Sequence, residues 1–165
     1  MRPALVALCQ RLIDRLEARG CRTGRLPELH LAVDGRRLDL ARIAGDRHRF
    51  VLPARYRDLR LVSAMGALAW TRADSFDRRL LGVSVLAVDW VERGVPHRLD
   101  LADASLFADG WHGLDGRGAR TWRWTDGNAR LAIENAASVE VTLGSAVTRW
   151  LPPADPAVAR NRSTA

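Results

Sequence analysis

The sequence predicts a mainly β protein: an antiparallel, jelly-roll-like β-sandwich preceded by one amphipathic helix. Three observations lead there. A helical hydrophobic period is confined to residues 4–18, a period of two runs through most of the chain beyond residue 28, and turn residues recur at short intervals between the alternating runs. With 165 residues, 47% hydrophobic and 27% charged, the chain can build a core of ordinary size and lies far from the composition of a disordered polymer.

In the helix, Leu5, Leu8, Cys9, Leu12, Ile13 and Leu16 recur at steps of three and four, while Gln10, Arg11, Asp14, Arg15 and Glu17 fill the other side. Gly20 stands where a left-handed cap would end it. Such a face calls for a partner, so Leu5, Leu8, Leu12 and Leu16 are expected to pack on the sheet. Beyond it, Leu29, Leu31 and Val33 alternate up to Asp34-Gly35, a two-residue hairpin signal, and Leu38 and Leu40 resume the alternation. Residues 49–52 and 58–63 read as short strands. Residues 67–77 are irregular, with Trp70 as their one large anchor.

Residues 79–91 make the longest β-like run. Leu81, Val83, Val85 and Ala87 face one way, and Ser84, Leu86, Val88 and Trp90 the other, a pattern that predicts a central strand covered on both sides. Residues 95–101 are a candidate return strand. Four glycines and three aspartates between 102 and 118 predict a long loop. A second hairpin is expected from 121–125 and 129–133 across Asp126-Gly127-Asn128, followed by strands at 138–143 and 147–151. The domain expectation is one sandwich over residues 1–151, including the helix at 4–18, with a flexible tail at 152–165.

The formal charge of +7 comes entirely from arginine: all 26 basic residues are Arg and none is Lys. They are spread along the chain, which points to a coding bias rather than to a nucleic-acid surface, because clustering marks an electrostatic footprint. Only Arg55, Arg57 and Arg60, around Tyr56, are locally dense. Cys9 and Cys21 form neither a disulfide framework nor a metal-type spacing. The N-terminus lacks the apolar core of a signal peptide, and no run approaches the length of a membrane helix. The chain as given reads as cytoplasmic, unless it is the tail of a longer secreted protein.

The most unusual local feature is Gly110-Trp111-His112-Gly113, followed by Trp122-Arg123-Trp124-Thr125-Asp126-Gly127. In a strand, Trp122 and Trp124 project from one face and Arg123 from the other. Two rings on one face can hold the apolar face of a sugar or fill a sandwich core, and the large area a tryptophan buries favours the core. Trp111, His112, Trp122, Trp124 and Asp126 are the candidate ligand-binding residues. No catalytic, cofactor-binding or metal-binding set is identified: His30, His48, His97 and His112 are dispersed, and Ser63, Ser75, Ser84 and Ser105 lack a nucleophile elbow.

The segments Asp58-Leu59-Arg60-Leu61-Val62-Ser63, Asp77-Arg78-Arg79-Leu80-Leu81-Gly82-Val83, Gly110-Trp111-His112 and Trp122 to Gly127 together resemble the C-terminal accessory region of bacterial Hint (hedgehog/intein-like) domain proteins. They are also similar to regions appended to some bacterial glycosyltransferases. The resemblance spans about residues 29–150. Hint autoprocessing needs an N-terminal Cys or Ser nucleophile, an internal Thr and His, and a terminal His-Asn type ending. None of these can be placed here, so self-cleavage is not implied. What the resemblance implies is an accessory role, with carbohydrate or surface-polymer binding.

The functional expectation is therefore a non-catalytic accessory sandwich that binds a glycan or a protein partner without a cofactor. The alternatives are an enzyme of glycan metabolism with an unrecognised site and a weak, non-specific nucleic-acid binder acting through arginine. Oligomeric state is left open.

Overall fold

The structure, a computed structural model, describes residues 3–103 and 109–153. Residues 104–108 of the expected loop, with Ser105, and residues 154–165 of the expected tail lie outside the described residues. In chain order the elements are α1 (Pro3–Ala18), β1 (Arg22–Gly24), β2 (His30–Val33), β3 (Arg36–Leu38), β4 (Arg42–Ala44), β5 (Arg47–Val51) and β6 (Leu59–Val62). A 3-10 turn at Leu68–Trp70 precedes β7 (Val83–Glu92), β8 (Val95–Arg98), β9 (Trp111–Arg117), β10 (Arg120–Thr125), β11 (Asn128–Arg130), β12 (Ser138–Ala146) and β13 (Arg149–Leu151). The protein is mainly β, its strand pairs are antiparallel, and it is sandwich-like with open sheets.

The chain gathers into two compact units. One comprises Met1–Arg25, Ala67–Arg78 and Thr148–Ala165, the other Leu26–Gly66 and Arg79–Val147. In the first unit α1 ends as the glycine predicts: Gly20 sits at φ +81, Gly20 N–H donates to Glu17 O and Cys21 N–H to Leu16 O, the two bonds of a Schellman cap. The helix nevertheless buries none of its residues, and Leu5, Leu8 and Leu12 are each about half exposed, so the expected burial of that face on a sheet is not found. Amphipathic spacing made the helix without supplying a cover. β1 pairs with β13, and Trp150 Nε1 donates to Trp70 O at 2.7 Å. Trp70 itself is exposed rather than a buried anchor.

The second unit holds a seven-stranded sheet, ordered β4-β5-β12-β7-β10-β9 with β8 on the free stretch of β7, and a four-stranded sheet, ordered β11-β6-β2-β3. Their apolar faces share one core. Phe50, Val139, Val141, Val83, Val85 and Val88 come from the larger sheet, Leu31, Leu59 and Leu61 from the smaller, and each is at most 2% exposed. The first hairpin forms as its sequence predicts, with Asp34 (φ 49) and Gly35 (φ 76) both left-handed, the signature of a type I′ turn. Asp34 Oδ1 also accepts the backbone N–H groups of Asp58 and Arg57, each at 2.9 Å, and these bonds hold its carboxyl below the usual carboxylate range.

β7 is central, between β12 and β10, but its two apolar faces have another cause than double cover. Ala87 pairs with Thr142 and Val85 with Leu143, so Leu86 is an extra residue, and beyond it the alternation changes side. Val83 and Val85 before this bulge and Val88 and Trp90 after it therefore all reach the core.

Two expectations for the region after residue 100 are corrected. Trp111–Arg117 is a strand, not loop: its glycines are tolerated because β9 is an edge strand whose partner β10 supplies the register. Nor do β10 and β11 form a hairpin. β10 lies in the seven-stranded sheet and β11 pairs with β6 in the other, so Asp126-Gly127 is a corner where the chain changes sheets, with Gly127 at φ +102. No helix among the described residues is long and apolar enough to cross a membrane.

His48 faces inward from β5, 8% exposed, and its Nδ1 has no hydrogen-bond partner among the described residues. Burial pushes its pKa below the ordinary 6.5, against a smaller opposing effect of Asp46. The neutral ring is favoured in the fold, so its contribution is fully present above the unfolded value and is lost as pH falls through the lower folded value. Melting curves of wild type and His48→Leu should diverge as pH drops below about 6.5, wild type losing more; parallel curves would show an ordinary titration. Separately, Leu61→Ala should cost about 2–5 kcal/mol in urea titrations. Leu12→Ala should cost no more than about 1 kcal/mol, because half of that side chain is already in water.

Candidate functional site

β10 carries Arg120-Thr121-Trp122-Arg123-Trp124-Thr125, and its strand alternation sorts these side chains onto two faces. Arg123 and Thr125 are buried, at 5% and 0% exposure. Arg123 Nε donates to Leu101 O at 2.6 Å and its Nη1 to His112 O at 3.1 Å, while Thr125 Oγ1 accepts Val83 N–H at 3.1 Å. Trp122 and Trp124 therefore stand on the face turned away from the core, half-buried rather than enclosed.

Between them and the neighbouring strands lies a shallow cavity of about 370 Å³. Its floor is made of small groups from β7 and β12: Ser84, which pairs across to Trp124, and Gly144 and Ser145. A Cβ on Gly144 would stand 2.8 Å from Ser84 Oγ, so any larger residue there would crowd the floor. Leu86, the bulged residue of β7, adds an apolar wall, and Arg117 and Arg120 stand at the hairpin end. Aromatic faces over a low floor, with cationic groups at one side, suit a flat ring that is apolar on its face and polar at its edge.

The other three candidates are engaged elsewhere. Trp111 packs against the core, and its Nε1 donates to Arg130 O at 2.7 Å, joining β9 of one sheet to β11 of the other. The preceding Gly110, at φ +80, allows this closure: a Cβ there would meet the backbone of Asn128 and Ala129, the latter at 2.6 Å. His112 Nε2 bonds Leu80 O at 2.7 Å, which places the ring proton on Nε2. Asp126 Oδ1 accepts Asn128 N–H at 2.8 Å and shapes the corner between the sheets. The structure thus separates Trp111, His112 and Asp126 from the Trp122 and Trp124 pair.

In the arginine-dense stretch, Arg60 and Tyr56 have defined partners. Arg60 bonds Asp109 at 2.7 Å and Asp58 at 3.0 Å, and the guanidinium holds the Asp109 carboxyl below the usual range. Tyr56 Oη accepts Ala136 N–H. A larger cavity, about 740 Å³ beside the first hairpin, is lined by no aromatic side chain among the described residues. Among the described residues no group of three or more His, Cys, Asp or Glu is placed to hold a metal ion.

Sequence reasoning named the two tryptophans of the cavity but missed Ser84, Leu86, Arg117, Arg120, Gly144 and Ser145. The signal for the arginines was present in Arg117-Gly118-Ala119-Arg120, a two-residue turn with Gly118 at φ +63. The small residues of the floor carried no local signal. Comparison with known proteins finds no matching family model, no matching curated protein and no matching solved structure.

The closure by Trp111 is tested by substitution. Trp111→Ala should lower stability by about 3 kcal/mol and Trp111→Phe, which keeps most of the packing but loses the bond to Arg130 O, by about 1 kcal/mol, both read from urea unfolding. An unchanged midpoint in the alanine variant would show that the ring closes nothing.

Proposed function

We propose that this chain is a non-catalytic binding module that seats a sugar ring on Trp122 and Trp124. The observation that carries the reading is that both rings lie on the outward face of β10 beside a cavity, while the residue between them is buried. Neither ring belongs to the core that the two sheets share or to the side chains packed against it. The resemblance to accessory regions of Hint-type proteins and of glycosyltransferase-appended segments points the same way.

The cavity lining argues for binding rather than turnover. Among the described residues it is lined by no carboxylate and no histidine that could act as a base toward Ser84 or Ser145. Ser84 Oγ is moreover occupied with Ser145 O at 3.3 Å.

The test is a glycan array followed by calorimetric titration of the best ligands. Trp122→Ala and Trp124→Ala should each weaken binding at least about tenfold, equivalent to about 1.4 kcal/mol, while cooperative unfolding is retained. Equal affinity in both variants would remove the platform.

A further inference from the structure

The ring platform has a charged end, formed by two guanidinium groups that make no ion pair among the described residues. Arg117 and Arg120 are direct cross-strand partners on β9 and β10, flanking the Gly118-Ala119 turn. Directly opposed residues share a face with Cβ atoms about 5 Å apart, and like charges so placed repel. Some other charges in this unit are neutralised by a neighbour: Arg98 bonds Asp89 through both Nε and Nη2, and Arg60 lies between Asp58 and Asp109, whereas Arg42 and Arg49 also oppose each other, across β4 and β5. Arg117 and Arg120 pair through the backbone ladder, but neither guanidinium has an ion pair or hydrogen bond to any described residue. Asp115, directly opposite Trp122 on the same face, does not line the cavity and lies 4.0 Å from Arg79.

From this juxtaposition we infer that the ligand is an anionic saccharide, its acid group held between Arg117 and Arg120 while its ring lies on Trp122 and Trp124. The inference rests on the platform reading above and adds the class of sugar. A guanidinium offers paired donors that match a carboxylate or a sulfate, and a pair of them opposed across a turn can clasp one anion from both sides. The bound anion would relieve the repulsion that the free hairpin carries. The cavity favours a saccharide over a nucleic acid by its extent: about 370 Å³ has room for one or two rings, and its cations stand at one end instead of tracking a phosphate backbone.

The test uses a matched pair of ligands, an oligogalacturonide and its methyl ester, with a sulfated oligosaccharide and a single-stranded oligonucleotide as further arms. Binding is read by tryptophan fluorescence at low and high salt. The acid should bind about tenfold or more tightly than its ester, and the difference should shrink with salt and vanish in Arg117→Gln/Arg120→Gln. The sulfated arm then tells whether the clasp prefers carboxylate or sulfate. Because the exchange removes a repulsive pair, the variant should melt at the same temperature as wild type or higher. If melting falls instead, the single exchanges are measured separately, and a preference for acid that survives in both overturns the inference.

Equal binding of acid and ester, both abolished by Trp124→Ala, would overturn the anionic inference and leave the platform standing. Binding of neither sugar would overturn both readings. Tighter binding of the oligonucleotide than of any acidic sugar would replace the saccharide with a nucleic acid.

Discussion

The register of β10 is the constraint on which the candidate site depends. In a strand one residue of slip exchanges the faces, which here would push Trp122 and Trp124 into the core and Arg123 into water. Thr125 opposes such a slip from one end, since its carbonyl accepts Gly82 N–H at 2.7 Å and its hydroxyl accepts Val83 N–H. Arg123 opposes it within the strand. A buried guanidinium is tolerated only with its donors satisfied, and the carbonyls of Leu101 and His112 are within reach only in the observed register. A polar residue facing inward thus holds two aromatic residues facing outward.

The same strand borders a second irregularity that shapes the site. The extra residue Leu86 in β7, matched by a further shift around Gly144 in β12, lets both halves of the longest strand bury apolar side chains on one side. On the other side it leaves Ser84, Gly144 and Ser145 as a low floor beside the rings. Bulges redirect side chains at the expense of regular pairing, and here the redirected residue becomes a wall of the cavity.

The tryptophans of the second unit divide by role according to what their polar edge finds. Trp111 is consumed by the closure between sheets, its indole N–H given to Arg130 O. Trp90 packs against the core and stacks on His97 with ring centroids 5.3 Å apart. Only Trp122 and Trp124 border the outward cavity. In the first unit the helix offers a contrast: its periodicity is regular, yet Leu5, Leu8 and Leu12 remain half exposed. A hydrophobic period states which residues share a face and not what that face meets.

Local chemistry written in the sequence determined the elements whose cause is local. The helix with its Gly20 cap, the Asp34-Gly35 hairpin, the strands around Leu59 and Val139, and the alternation that places Trp122 and Trp124 together against Arg123 all follow from residue type and spacing. The mainly β, sandwich-like class follows from their sum. What only the tertiary structure decided depends on partners distant in sequence. β9 was hidden because a glycine-rich edge strand draws its order from β10 and not from its own propensity. The corner at Asp126-Gly127 carries the same residues as a hairpin turn, and only the pairing of β11 with β6 sends the chain to the other sheet. The cavity floor joins Ser84 to Gly144 and Ser145, which lie far apart in sequence, and no pattern within one segment can bring them together. Which face of β10 meets the core was likewise undecided by alternation, since a period of two is symmetric between faces and only burial against the second sheet breaks that symmetry.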